Sequence, residues 1–221
     1  ELLQTELNYV NGLEFVKTHF VNPLLKDGDT NTVETVFNSW LPITKLHQDF
    51  LLRLKAALLD TNNKPKASTI TSSRLAAKEF SKLAPFLKLY IPFVQKYNVA
   101  LSRISNDLRN NGKISQQVDL TATKNDLTKG KLHGGLGPLL ALPFQRLCKY
   151  GLLLRELNRT FSSSGRTGKL VYNAMKMVDT IVLKVNDAKA MSDNGERMFE
   201  IQTALKDDKM IDIPVLLRKP M

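Results

Sequence analysis

The sequence predicts an all-α fold, an elongated bundle of long helices. Apolar residues recur at three- and four-residue steps through most of the chain, the period of a helix with one buried face. No stretch shows the alternation of a half-buried strand, and no repeat period is visible. Several periodic runs outlast the usual three or four turns with few strong breaks, which suits an elongated bundle.

The elements follow in chain order. Leu3, Leu7, Val10, Leu13 and Val16 to Val21 mark a first helix ending near Pro23. Asp27-Gly28-Asp29 is a turn, after which Thr30 or Thr32 caps a second helix with Glu34 in its first turn. Its apolar face runs through Val33, Val36, Phe37, Trp40, Ile43, Leu46, Phe50, Leu51, Leu54 and Leu58, and Pro42 predicts a kink within it. Residues Thr61 to Ala67 form a polar loop, and a short helix runs from about Ser68 to Leu83. Pro85 opens the next helix, which bends at Pro92 and ends at Asn110-Asn111-Gly112. Ile114 to Leu132 reads as two short helices. Two long helices close the domain, one from about Leu139 to Phe161, the other from near Thr167 to about Leu205 with a bend at Ser192 to Gly195.

Bulk composition narrows the function classes. The 221 residues are 43% hydrophobic, ordinary for a globular chain. No run of about 18 apolar residues exists to span a bilayer. The first residue is Glu rather than Met and no leader pattern is visible, so the chain is expected to be a fragment. A single cysteine, Cys148, forms no internal disulfide; within an apolar helix it is expected to be half-buried, in a reducing compartment. Asn158-Arg159-Thr160 matches a glycosylation acceptor in form only, because it falls on a helix of an expected intracellular protein. The net charge of +11 attracts anionic partners, but the basic residues are scattered without interleaved aromatics, which argues against nucleic acid.

Bond chemistry finds no support in the residues. His19, His47 and His133 do not pair at metal-ligand spacing. His133-Gly134-Gly135-Leu136-Gly137-Pro138 and Gly165-Arg166-Thr167-Gly168-Lys169-Leu170 both lack the spacing of a phosphate loop and are expected to be turns between helices. Glu1 and Glu6 stand five apart, which is not one helical face.

Three blocks carry a positive signal. Glu1-Leu2-Leu3-Gln4-Thr5-Glu6-Leu7-Asn8-Tyr9-Val10-Asn11-Gly12-Leu13 comes first. Val33-Glu34-Thr35-Val36-Phe37-Asn38 follows, with Ile43, Leu46-His47, Phe50-Leu51 and Leu54 after it. The most specific is Leu142-Pro143-Phe144-Gln145-Arg146-Leu147-Cys148-Lys149-Tyr150-Gly151-Leu152-Leu153-Leu154-Arg155-Glu156-Leu157. In this order they resemble the signature blocks of the Dbl-homology domain of guanine-nucleotide exchange factors for Rho-family GTPases. Val185-Asn186-Asp187 is similar to the last-helix motif of that family, and Phe86-Leu87, Tyr90 and Tyr97-Asn98 to its middle helix.

The resemblance implies an elongated Dbl-homology bundle over residues 1–208, with 209–221 beginning a linker. Ile211-Asp212-Ile213-Pro214-Val215-Leu216-Leu217-Arg218 resembles the approach to a pleckstrin-homology domain. It implies exchange of GDP for GTP on a Rho or Rac protein, no cofactor, no covalent bond made, and a cytoplasmic location with recruitment to anionic membrane. It also implies the contacts. Lys149 engages the second switch of the GTPase with Gln145 beside it, Asn186 hydrogen-bonds the same switch, and Glu1 meets the first. Ala141, Gln145 and Lys149 follow at steps of four along one stripe, while Leu140, Phe144, Leu147, Gly151 and Leu154 form a core-facing stripe. Glu6 is the weaker alternative to Glu1, and Arg146 and Tyr150 read as structural. At 141 the family commonly has a bulkier aliphatic residue, so this Ala removes a usual clue to which GTPase is favoured. The competing reading is an exchange-silent helical scaffold apposed to membrane.

Overall fold

The computed structural model describes residues 1–124, 136–161 and 165–207, with side chains described through residue 190 except at 123 and 124. Among the described residues the chain is helical, and one isolated bridge, Leu59 to Pro65, is the only pairing of extended backbone.

Helix α1 (Leu2–Val16) passes through a π-helical turn, Lys17–Val21, into α2 (Asn22–Lys26). Pro23 comes just after the π-helical turn and does not end the rod, which runs on to Lys26. Gly28, at φ +73°, then turns the chain. The cap of α3 (Thr30–Val36) is Asp29, not Thr30 or Thr32: its carboxylate accepts the Thr32 N–H at 3.1 Å.

The run expected as one kinked helix is two. The chain leaves the helix at Phe37 and restarts as α4 (Trp40–Leu58), so Pro42 helps to open a helix rather than kinking one. The predicted face still turns inward; Phe37, Trp40, Ile43, Phe50 and Leu54 are all buried. The Trp40 indole N–H donates to the Leu13 carbonyl at 3.1 Å, tying α4 to α1.

Helix α5 (Thr69–Leu83) leads into a 3₁₀ segment, Ala84–Leu89, then α6 (Tyr90–Gln95) and α7 (Tyr97–Arg109). The break falls at Lys96 rather than Pro92, which again sits in a first turn. Asn111, at φ 51°, closes α7 as expected. Helix α8 (Lys113–Lys124) covers the first part of the stretch expected to hold two short helices; residues 125–132, with His133 to Gly135, fall outside the described residues.

Helix α9 (Leu136–Leu140) and α10 (Leu142–Thr160) are separated at Ala141. Leu136 to Pro138 is therefore helical rather than a turn. The last helix, α11 (Arg166–Asp207), has 42 residues, about 63 Å of rise, and stays helical through Ser192 to Gly195. The segment expected as a turn at Gly165 to Leu170 forms its beginning. Helix α11 packs along α10, α5 and α6, and α1 packs on α4 and α10. Gly12 allows a close approach of α1 to α10, since a Cβ there would stand 2.7 Å from a Leu142 methyl.

Candidate GTPase-binding face

Lys149 and Gln145 project outward from α10, one helical turn apart, and both are exposed. Glu1 is the N-cap of α1 and also exposed; its carbonyl accepts the Thr5 N–H at 2.9 Å. A shallow depression brings them together, lined by Glu1, Phe144, Gln145, Cys148, Lys149 and Leu152. A neighbouring one shares Gln145 and Lys149 and adds Thr5, Asn8 and Leu142. Among the described residues Lys149 has no acidic partner within ion-pair distance, so its charge is available to an incoming group. Ala141, half-buried at the N-cap of α10, lines neither depression.

Asn186 comes from α11. The short link after Thr160 makes α10 and α11 antiparallel, and Arg155 meets Asp179 across them at 3.2 Å. From that crossing Lys149 lies six residues back along α10 and Asn186 seven forward along α11. At about 1.5 Å of rise per residue both stand about 9–11 Å along the axis, which places them level. Asn186 is exposed and stands seven residues, nearly two full turns, from Asp179, so it lies on the same side of α11 as the residue that meets Arg155.

Two expectations about side chains are corrected here. Cys148 is exposed rather than half-buried, because it lies next to Lys149 on the outward side. Phe144 is only partly buried: it packs against the edge of the core and also lines the depression. Leu152 and Leu183 were not singled out from the sequence, yet they are 65% and 64% exposed on the two facing helices. The run Leu152-Leu153-Leu154 held a signal, since consecutive helical positions point about 100° apart and cannot all enter the core.

Behind the face lies a buried polar cluster. Glu6 is fully buried, which removes it as the alternative to Glu1. Five residues of helix rotate the side chain by about 140°, so one glutamate points out and the other in. The Glu6 carboxylate accepts from Arg146 Nε at 3.1 Å and from a second guanidinium N–H, from the Tyr150 hydroxyl at 2.6 Å, and from His47 Nδ1 at 2.8 Å. Arg146 also donates to Thr5 Oγ1 at 3.0 Å and lies 4.3 Å from the centroid of the Tyr150 ring. With His47 in its Nδ1–H tautomer, Tyr90 donates to Nε2 at 2.8 Å and Tyr9 to the Tyr90 oxygen at 3.0 Å, so each polar group finds a partner. Burial pushes the Glu6 carboxyl up, but the hydrogen bond from His47 together with Arg146 and Tyr150 outweighs it and holds the group below its ordinary 4.5. Burial likewise raises the Tyr9, Tyr90 and Tyr150 hydroxyls. Arg146 and Tyr150 thus have the structural roles expected of them.

Among the described residues no group of three His, Cys, Asp or Glu side chains is placed to hold a metal, and no helix is long and apolar enough to cross a membrane. The RhoGEF domain family model matches residues 1–186. The chain is 23% identical over 232 residues to Rac guanine nucleotide exchange factor B of Dictyostelium discoideum, covering 94% of this chain and 19% of that protein. In fold it is similar to the DH domain of FARP2, with a TM-score of 0.68 and 20% identity, over 93% of this chain and 94% of that one. It is also similar to the DH/PH domain of human ARHGEF11 in a ternary complex with human RhoA and its inhibitor, with a TM-score of 0.71 and 19% identity, over 92% of this chain and 56% of that one. Helical architecture, signature blocks and a family match over most of the length agree: the chain belongs to the RhoGEF domain family.

Proposed function

We propose that this domain is a guanine-nucleotide exchange factor for a Rho-family GTPase and that it works through the face carrying Glu1, Gln145, Lys149 and Asn186. The observation that carries the reading is the convergence on one outward face of an unpaired lysine, a glutamine one turn away, an acid from α1 and an amide from α11. Matched relatives named as exchange factors, and the RhoA complex of a structural neighbour, support the choice of partner.

The mechanism is thermodynamic linkage. A GTPase holds its nucleotide phosphates with Mg²⁺ and mobile switch segments. A partner that binds the rearranged switches better than the closed ones weakens nucleotide binding by the same factor. A thousandfold effect requires about 4 kcal/mol of differential binding. Two or three charge-assisted hydrogen bonds from Lys149, Glu1 and Asn186, with apolar contact at Leu152 and Leu183, are of that order. GDP and Mg²⁺ leave, the emptied GTPase stays bound, and GTP displaces the domain.

In this reading residues 1–208 form the exchange domain and 209–221 lead toward a pleckstrin-homology domain. The protein acts in the cytoplasm, and its net charge of +11 favours peripheral contact with anionic membrane. The test is release of a fluorescent GDP analogue from a panel of Rho, Rac and Cdc42 proteins. Acceleration with at least one member, lost in Lys149→Ala, is the expected result. A silent domain that binds acidic vesicles in a salt-sensitive way would replace this reading with that of a scaffold.

A further inference from the structure

We infer that Glu6 is a positioning residue for exchange: it fixes the rotation of α10 about its own axis and so aims Gln145 and Lys149. The inference rests on the exchange reading above and adds a residue that does not touch the GTPase.

Arg146 follows Gln145 and Tyr150 follows Lys149, so each outward residue has an inward neighbour on the same turn. Both inward neighbours converge on a single carboxylate oxygen, Oε2 of Glu6. The other oxygen takes His47 of α4, which fixes the carboxylate in turn. Arg146 reaches past it to Thr5, one residue from Glu6 and one turn from Glu1. The result is a clamp directional at every contact, built beneath two turns of α10, and it also holds the end of α1 that presents Glu1. Apolar packing supplies the inward stripe, with Leu147 and Leu154 in the core and Phe144 and Leu153 packed against its edge, but it is non-directional, so the hydrogen bonds to Glu6 add the angular constraint. A turn of about 20° moves a side-chain tip about 6 Å from the helix axis by about 2 Å, enough to spoil a hydrogen bond.

The experiment separates aim from stability. In the full chain, Glu6→Gln combined with Arg146→Met removes both buried charges together and leaves no unpaired charge. The expected result is a melting temperature close to that of the parent, a kcat for GDP release at least tenfold lower, and a KM within about twofold, because a misaimed helix still meets the loaded GTPase but holds the emptied one less well. Amide hydrogen exchange over residues 145–150 should quicken in the free domain. Tyr150→Phe, which keeps the ring and loses only the hydroxyl, should lower kcat by a smaller factor of about three. A folded double variant with parental kcat overturns the inference. Should the double variant fail to fold, parental kcat in Tyr150→Phe overturns it equally. If the unmodified domain accelerates no GTPase in the panel, the exchange reading itself fails, and that outcome is distinct from either.

Discussion

Arg146→Met removes the buried guanidinium and leaves Glu6 ionised without a cation beside it. Two N–H bonds to Glu6 Oε2 disappear, with the bond to Thr5 and the stacking on Tyr150. Arg146 is only 4% exposed, so water does not replace what is lost. Breaking a buried pair from one side costs about 3–5 kcal/mol. In a domain of this size each kcal/mol shifts the melting temperature by about 2–4 °C, so the expected loss at pH 7 is about 6–20 °C. The pH dependence follows from the direction of the Glu6 shift. In the parent the carboxyl is held below 4.5, so its stabilisation is present above that value and lost as pH falls through the lower, folded value. In the variant His47 and Tyr150 still oppose burial but Arg146 does not, so the carboxyl moves upward from its parental position, and a protonated Glu6 needs no cation. The gap between the two proteins should therefore narrow as pH falls toward 4.5. Circular-dichroism melts at pH 7 and at about pH 4.5 read both effects. A loss under about 2 °C at pH 7, or a gap unchanged with pH, would refute the reasoning.

Lys149→Ala should abolish acceleration of GDP release while moving the melting temperature by less than about 1 °C, because an exposed lysine without an ion pair contributes little to stability; a large thermal loss would place Lys149 in the fold instead of the face. Asp29→Ala removes the carboxylate that caps α3 and should cost about 1 kcal/mol by urea denaturation; no change would mean that another group caps the helix. Gly28→Ala forces a side chain into φ +73° and should cost about 1–2 kcal/mol, although nothing lies within 4 Å of the new Cβ. A neutral result there would show that the turn relaxes.

Most helices were legible because their periodicity is strong. The apolar face from Val33 to Leu58 was read residue by residue, yet the break at Phe37 was missed. Periodicity reports which face is buried and not whether the backbone continues, and a short interruption can preserve the face. The prolines misled in a consistent way. Pro42 and Pro92 lie in first turns, where the ring is tolerated, and Pro23 follows a π-helical turn within a continuous rod, yet the sequence marks each as a stop or a bend. At the face, Gln145 and Lys149 were legible from the four-residue step. The level placement of Asn186 was not, because it depends on the packing register of α11 against α10, marked by Arg155 meeting Asp179 across 24 residues. The buried cluster was half visible. Arg146 and Tyr150 read as structural, but no local pattern joins Glu6 to Arg146 across 140 residues of chain.

The account centres on one outward face of the bundle. Amide hydrogen exchange of the domain, free and bound to a nucleotide-free Rho-family GTPase, tests it most directly. Protection concentrated in the first turns of α1, along residues 141–153 of α10 and around Asn186 is the result expected. Protection elsewhere, over α7 and α8, with residues 145–149 exchanging as fast as in the free domain, would contradict it.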